Sequence, residues 1–497
     1  MTQGTPSTGT ACREFETVFW KGQKPPRDEF FWLSQINKCT LVINTDEGLL
    51  DPKKSPAYAR GLKKVIADAS TSGSFRPKMY IHYEPLMIDA CGIDVTAMHA
   101  GRSSQDMHTT FHRAIFRDLT LEIAEALLNV RTALLKLAEA NKSTIAPNYT
   151  NGVAAQPNSL GHMWLGHLAG FSRDFEAIKD EWKRLNRCPM GSTVLNGTSW
   201  PLNRRRMAEM LGFDGPIDNA FDAGQVAGTD VAVTAALLLV KPMMHVQQFI
   251  QDIMVQYAEP HPWILVSATY ASSAMPQKRN PGSLIDVRRD ANEVMGLLST
   301  VLWRAHGLPT GMYDAKDIIQ NGAPLREAEA ALNAFARVLG LLRVDAKRAL
   351  DELNQDWTSS QELADILMRR FGIPFRLGHR TASRMVTLAR ERGFTPLTFP
   401  YSEICRLYAE VIAEAKEEGV PQTFPLSEKE FREALDPIAI VRRRATLGGP
   451  QPAELERQFR DAHAQLEADS AWLKEKRDAL AAAEASTEAA FEALASR

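Results

Sequence analysis

Residues 116–140, FRDLTLEIAEALLNVRTALLKLAEA, decide the fold class. Phe116, Leu119, Ile123, Leu127, Val130, Leu134 and Leu137 recur at three- and four-residue intervals, which lines them up along one stripe of an α-helix. The residues around them are rich in Ala, Leu and Glu, all good helix formers. Comparable stretches run over residues 230–257, 286–304 and 325–355. Strand-like alternation is scarce, and neither a βαβ rhythm nor a GxGxxG turn occurs. The expected fold class is therefore all-α. Helices longer than about 20 residues bury their stripes only in an extended bundle.

Working outward, the helical pattern breaks at residues 146–157, 188–201, 267–281 and 306–311. Polar loops that interrupt a rigid bundle are where sites are usually built. Shorter helices are expected from about residue 371, and residues 466–497 read as a weakly anchored, solvated helix. The division expected is an N-terminal helical domain (1–115), a central long-helix bundle (116–370) and a C-terminal helical domain with its tail (371–497).

The chain has 497 residues, more than one core usually supports. A net charge of −2 gives no field that would gather nucleic acid or an anionic membrane. No apolar run is expected to reach the roughly 18 to 20 residues needed to span a bilayer. The opening MTQGTPSTGTACREFE lacks the basic and apolar regions of a secretory signal and reads as a short tail. Five cysteines, none in CxxC spacing, fit free thiols in a reducing cytoplasm and no metal site.

Residues 272–281, SSAMPQKRNP, carry the densest chemistry. They read as a small polar loop feeding a helix, with Asn280 at the N-cap and Pro281 at the first helical position. Two serine hydroxyls, the Lys278 ammonium and a helix N-terminus are thus gathered together. That set suits elimination beside a carboxylate. Removing the proton places negative charge on the carboxylate oxygens, which a lysine and helix N–H groups stabilise. A serine acts as base only where nearby positive charge lowers its pKa, and Lys278 is placed for that. The same residues also fit a polar loop that merely caps a structural helix.

This string is similar to the signature loop of the fumarase/aspartase superfamily, GSSxMPxKxN. Residues 99–106, HAGRSSQD, resemble the argininosuccinate lyase stretch HTGRSRND. GSTVLNGT (191–198) and LGFD (211–214) resemble its GSGALAGT and LLGFD, while GIPFR (372–376), His379 and LGG (447–449) resemble its C-terminal domain. The resemblance implies three helical domains, a homotetramer packed through a central bundle, and active sites each built from three subunits. It implies that Ser272 takes a proton from Cβ of a succinyl group, while Lys278 and Asn280 hold and polarise the carboxylate. Substrate binding then falls to Arg102, Ser103, Gln105, Thr150, Asn151, Gln156, Ser273, Met275, Tyr313 and His82. The implied reaction is β-elimination of an amine from an N-substituted aspartate or related polycarboxylate, releasing fumarate. It needs no cofactor or metal, because the substrate carboxylate is itself the electron sink. True argininosuccinate lyase, a carboxymuconate-type cycloisomerase and a catalytically silent, crystallin-like tetramer are the alternatives.

The sequence also departs from that pattern. Ala271 replaces the glycine before the serines. Asn151 replaces the histidine of THLQRAQP that assists proton transfer, and Ile285 replaces the glutamate of NPxSLE that pairs with it. Losing both is coherent, since either alone would be an unpaired buried charge. Ser104, Gln105 and Tyr80 stand where contacts to the arginyl end are expected, so the expected substrate is not argininosuccinate itself. The general acid must come from elsewhere. His108 is expected as an exposed helix histidine, and His162 and His167 as packing residues.

Overall fold

The structure, a computed structural model, describes residues 26–497 apart from 259 and 313. The opening stretch read as a tail and the candidate Tyr313 lie outside the described residues. Among the described residues, three helices come first: α1 (Glu29–Asp46), α2 (Ser55–Asp68) and α3 (Tyr80–Cys91). Helix α4 (Ser104–Ala140) then runs for 37 residues, about 55 Å at 1.5 Å per residue. A hairpin, β1 (Ile145–Thr150) and β2 (Val153–Ser159), turns the chain into α5 (Leu160–Leu185), which runs back along α4. After α6 (Arg204–Met210), a π-helical turn at Asp222–Val226 feeds α7 (Ala227–Tyr257).

Short strands β3 (Ile264–Val266), β4 (Tyr270–Ala271) and β5 (Arg279–Asn280) precede α8 (Gly282–Ala305) and α9 (Ile318–Leu339). Strand β6 (Leu342–Val344) pairs antiparallel with β3 and leads into α10 (Ala346–Gln355). Helices α4, α5, α7, α8 and α9 form the long bundle, with Phe171, Phe249 and Phe335 meeting fully buried at its centre. A smaller group follows: α11 (Ser360–Phe371), α12 (Phe375–Arg392), α13 (Tyr401–Ala415), α14 (Glu428–Leu435) and α15 (Pro437–Arg443). It has an apolar core of its own, spanning 357–435.

The last helix, α16 (Pro452–Ala495), corrects the expectation of a weakly anchored tail. Its Leu455, Phe459, Leu473, Phe491 and Leu494 belong to the main core. It runs antiparallel along α4 and on to α1 and α2, pinned in turn by Lys142–Glu456, Arg131–Asp469, Arg477–Glu125 and Lys63–Glu492. Its sparse stripe looked solvated because charged residues and alanines separate the few buried apolar residues along it. The chain is mostly helical, as expected, with three two-stranded ladders among the described residues. The stretch expected as one helix over 325–355 is broken near Gly340, where the chain turns to form β6. Helix α4 runs straight through residue 115, and the smaller core begins near residue 357 rather than 371.

The helical segment Asp222–Tyr257 is long and apolar enough, by length and composition, to cross a membrane. The sequence reading expected no apolar run of that length; over the whole helix, Lys241 and the glutamines are outweighed by apolar neighbours. Half of its most apolar window is buried against the rest of this chain.

Candidate active site

Residues 270–280 form a hairpin: Tyr270 pairs with Asn280 and Ala271 with Arg279. The tip is solvent-exposed apart from Ser272, which is half-buried. The Ser272 amide donates to the Lys278 carbonyl at 3.4 Å, so the two residues face each other across the tip. Ser272 Oγ accepts from the amides of Ala274 (3.3 Å) and Met275 (3.1 Å). Donors aimed at this oxygen favour its ionised form. Ser273, Met275 and Lys278 are exposed.

Asn280 is not the expected N-cap. It is held in β5, its carboxamide donating to the Tyr270 carbonyl at 3.4 Å, and α8 begins at Gly282 with Pro281 at the cap position. Strand pairing takes Asn280 because its extended backbone continues the hairpin register. The amides of the first turn of α8 have no side-chain cap.

The break at residues 146–157 is a hairpin as well. Thr150 pairs with Val153, leaving Asn151 and Gly152 as a two-residue turn with φ of 53° and 76°. Both positions need positive φ, which the Asn-Gly pair supplies at low cost. That signal was present in the sequence, and it accounts for Asn151 without any role in proton transfer. Thr150 and Asn151 are exposed, and the Gln156 carboxamide donates to Gln361 at 2.9 Å.

At the opposite end of α4, Ser103 is the N-cap, accepting from the Gln105 amide at 3.2 Å. Asp106 closes a capping box by accepting from the Ser103 amide at 2.9 Å. Its other oxygen accepts from the amides of Gly191 (3.1 Å) and Thr193 (3.2 Å), which pins the 191–198 loop to the helix start. Burial pushes the Asp106 carboxyl up, against the pull of those amides and Arg102. Thr193 and Val194 lie at φ of 46° and 75°. For β-branched residues this costs of order 1–3 kcal/mol each, and such strain gathers at functional sites.

Arg102 points inward rather than to solvent. It donates to Asn37 Oδ1 (2.6 Å) and the Met98 carbonyl (3.2 Å) and lies over the Tyr80 ring at 5.0 Å. His82, on α3, is half-buried. His108 is buried, not exposed as expected, because α4 is covered on that face; burial pushes it down to about 4. His162 bonds the Gly448 carbonyl at 2.7 Å, and His167 lies 3.0 Å from Asp252.

One chain therefore brings the candidates together in two groups rather than one. Arg102, Ser103 and Gln105 stand at the start of α4. Thr150, Asn151 and Gln156 follow its far end, where β3 and the signature hairpin also arise: Trp263 and Tyr149 share the Glu352 carboxylate there. The 37 residues between the groups set them about 55 Å apart.

Comparison with known proteins now bears on this geometry. Residues 87–296 match the family model described as lyase, and residues 357–442 the one described as argininosuccinate lyase C-terminal. Argininosuccinate lyase of Pelotomaculum thermopropionicum is 31% identical over 415 residues, covering 82% of this chain and 86% of that protein. This chain belongs to the argininosuccinate lyase family. Another member, from Methanosarcina acetivorans, is 29% identical across 92% of this chain and 90% of its own length. The crystal structure of EDDS lyase in complex with formate superposes with a TM-score of 0.84 at 28% identity, covering 94% of this chain and 92% of that one. A variant of the same enzyme is solved with bound fumarate. Within the family, and so within the fumarase/aspartase superfamily, this chain is a fumarate-releasing carbon–nitrogen lyase.

Asp106, Gln225 and Lys316, which tie together the segments around the start of α4, were not singled out in the sequence. Ser103-x-x-Asp106 is a readable capping box, but nothing in sequence marks a lysine that folds inward. Lys316 is 4% exposed and donates to the Gly224 carbonyl (2.9 Å) and Gln225 Oε1 (3.2 Å).

Proposed function

We propose that this chain eliminates an amine from an N-substituted aspartate or related polycarboxylate, with Ser272 as the base that takes the Cβ proton. The observation that carries the assignment is the pair of amides donating to Ser272 Oγ, with Lys278 opposite. Lys278, Asn280 and the uncapped start of α8 then stabilise the charge that builds on the substrate carboxylate. Ser103, Gln105 and Thr150 orient the carboxylates; Arg102, whose guanidinium is turned inward, supports that loop from behind. Ser273, Met275, Asn151, Gln156, His82 and Tyr313 complete the surroundings in this reading. Without a histidine at 151, the amine receives its proton from another group, and the reaction runs in either direction. Tyr80, buried beneath Arg102, holds the position of an acidic contact to an arginyl group, which favours an amine other than arginine.

The same reading makes the working enzyme a homotetramer with shared sites. Support comes from the 55 Å separation, estimated from helix rise, and from exposed apolar residues on two bundle helices: Leu237 and Met244 of α7, Leu297, Leu302 and Trp303 of α8. A cytoplasmic setting is supported by the free thiols of Cys39, Cys91, Cys188 and Cys405.

The test is ultraviolet detection of fumarate across a panel of N-substituted aspartates, argininosuccinate included, with Ser272→Ala in parallel. The variant is expected to lose about 100-fold or more in rate on whichever substrate turns over. Wild-type rates in Ser272→Ala would remove the serine base.

A further inference from the structure

Four segments remote in sequence meet at the start of α4: residues 101–109, 191–198, 222–228 and the stretch that ends at Lys316. Lys316 joins them. Its ammonium donates to the Gly224 carbonyl and to Gln225 Oε1, and the Gln225 carboxamide donates in turn to the Val194 carbonyl at 2.8 Å. Val194 and Thr193 both lie in left-handed conformation, and the Thr193 amide is one of those held by Asp106. The Asp106 carboxylate also fixes the Ser103 amide. A line of hydrogen bonds, bridged by the Thr193–Val194 backbone, therefore runs from Lys316 to the helix start that carries Ser103 and Gln105.

Three features show that the line is built rather than incidental. Gly224 approaches so closely that a Cβ there would sit 2.1 Å from the Val194 carbonyl oxygen. The backbone around it is wound as a π-helical turn, Asp222–Val226, an irregularity that recurs at functional sites. Lys316 is buried with no carboxylate among the described residues within ion-pair reach, an unfavourable state for a cation unless its donors have dedicated acceptors. Its two acceptors, Gly224 O and Gln225 Oε1, supply that need.

We propose that Lys316, acting through Gln225, is a positioning residue that holds the 191–198 loop and the start of α4 in the arrangement that binds the dicarboxylate. It does not touch the reacting atoms. The proposal rests on Ser103 and Gln105 belonging to the substrate site, so the experiment separates the two ideas. Fumarate, the shared product, is titrated calorimetrically into the full-length wild type, Lys316→Met, Lys316→Arg, Gln225→Leu and Ser103→Ala, with melting temperature recorded for each. Lys316→Met and Gln225→Leu are expected to weaken fumarate binding about tenfold or more. Lys316→Arg, which keeps the charge and the donors, recovers part of the loss. A residue that merely stabilises the fold would lower the melting temperature and leave the affinity of the folded protein unchanged. Fumarate affinity within about twofold of wild type in Lys316→Met overturns the proposal. If that variant fails to fold, the same limit applied to Gln225→Leu decides it. Loss of affinity in Ser103→Ala but not in the Lys316 and Gln225 variants removes the positioning role and leaves the site intact. Unchanged affinity in Ser103→Ala removes both.

Discussion

A serine hydroxyl becomes a base only through its surroundings, and for the base proposed at Ser272 they are local: two amides of its own turn and a lysine across the hairpin. None of that needs a buried partner, which is why the tip can remain exposed in a single chain. The histidines lie at the other extreme. His108 and His112 sit one turn apart on α4, both buried. Burial pushes His108 down to about 4; burial, His108 and Lys316 push His112 well below its ordinary value. In the unfolded chain both take up protons near pH 6.5. Since the folded values lie lower, the unfolded state binds more protons between them, and stability present above about pH 6.5 drains as pH falls through that window. Each histidine contributes a slope of about 1.4 kcal/mol per pH unit there. The melting temperature is therefore expected to fall from pH 6.5 towards 4.5, less steeply in His108→Gln. Superimposable pH curves for the two proteins would contradict this account.

At the scale of elements, α16 shows what a sequence stripe conceals. Arg131 and Asp469 are both buried, with side chains 1% exposed, and Asp469 also accepts from Lys179 at 2.9 Å. Asp469→Ala leaves Arg131 uncompensated inside the bundle, and a loss of about 3–5 kcal/mol is expected in equilibrium unfolding. A change below about 1 kcal/mol would class the pair with surface ion pairs. The long stripes of α4, α7 and α8 were legible because burial on one face imposes a 3.6-residue period over many turns. The signature string was legible because its serines, lysine and asparagine stand at fixed spacing. The two hairpins were not read as strands. Each is held by a few backbone hydrogen bonds that leave no periodicity, although Asn151-Gly152 was a sufficient turn signal. Lys316 was illegible for another reason: whether a lysine folds inward depends on Gly224 and Gln225, about ninety residues away in the chain.

For the whole molecule, the decisive quantity is the length of α4. The fold puts Ser103 and Ser272 at opposite ends of a bundle about 55 Å long, estimated from helix rise, and a rigid bundle cannot bend to join them. In the proposed site, a substrate a few ångströms across meets Ser272 from one copy and Ser103 from another. This gives a test that needs no structure of the assembly. Ser272→Ala and Ser103→Ala are each expected to be nearly inactive alone. When the two are denatured together and refolded as mixed tetramers, about one site in four should combine an intact Ser272 from one copy with an intact Ser103 from another, if copies associate at random. Fumarate release should then return towards a quarter of the wild-type rate, while either variant refolded alone recovers nothing. A mixture no more active than its components would remove Ser103 from the proposed shared site.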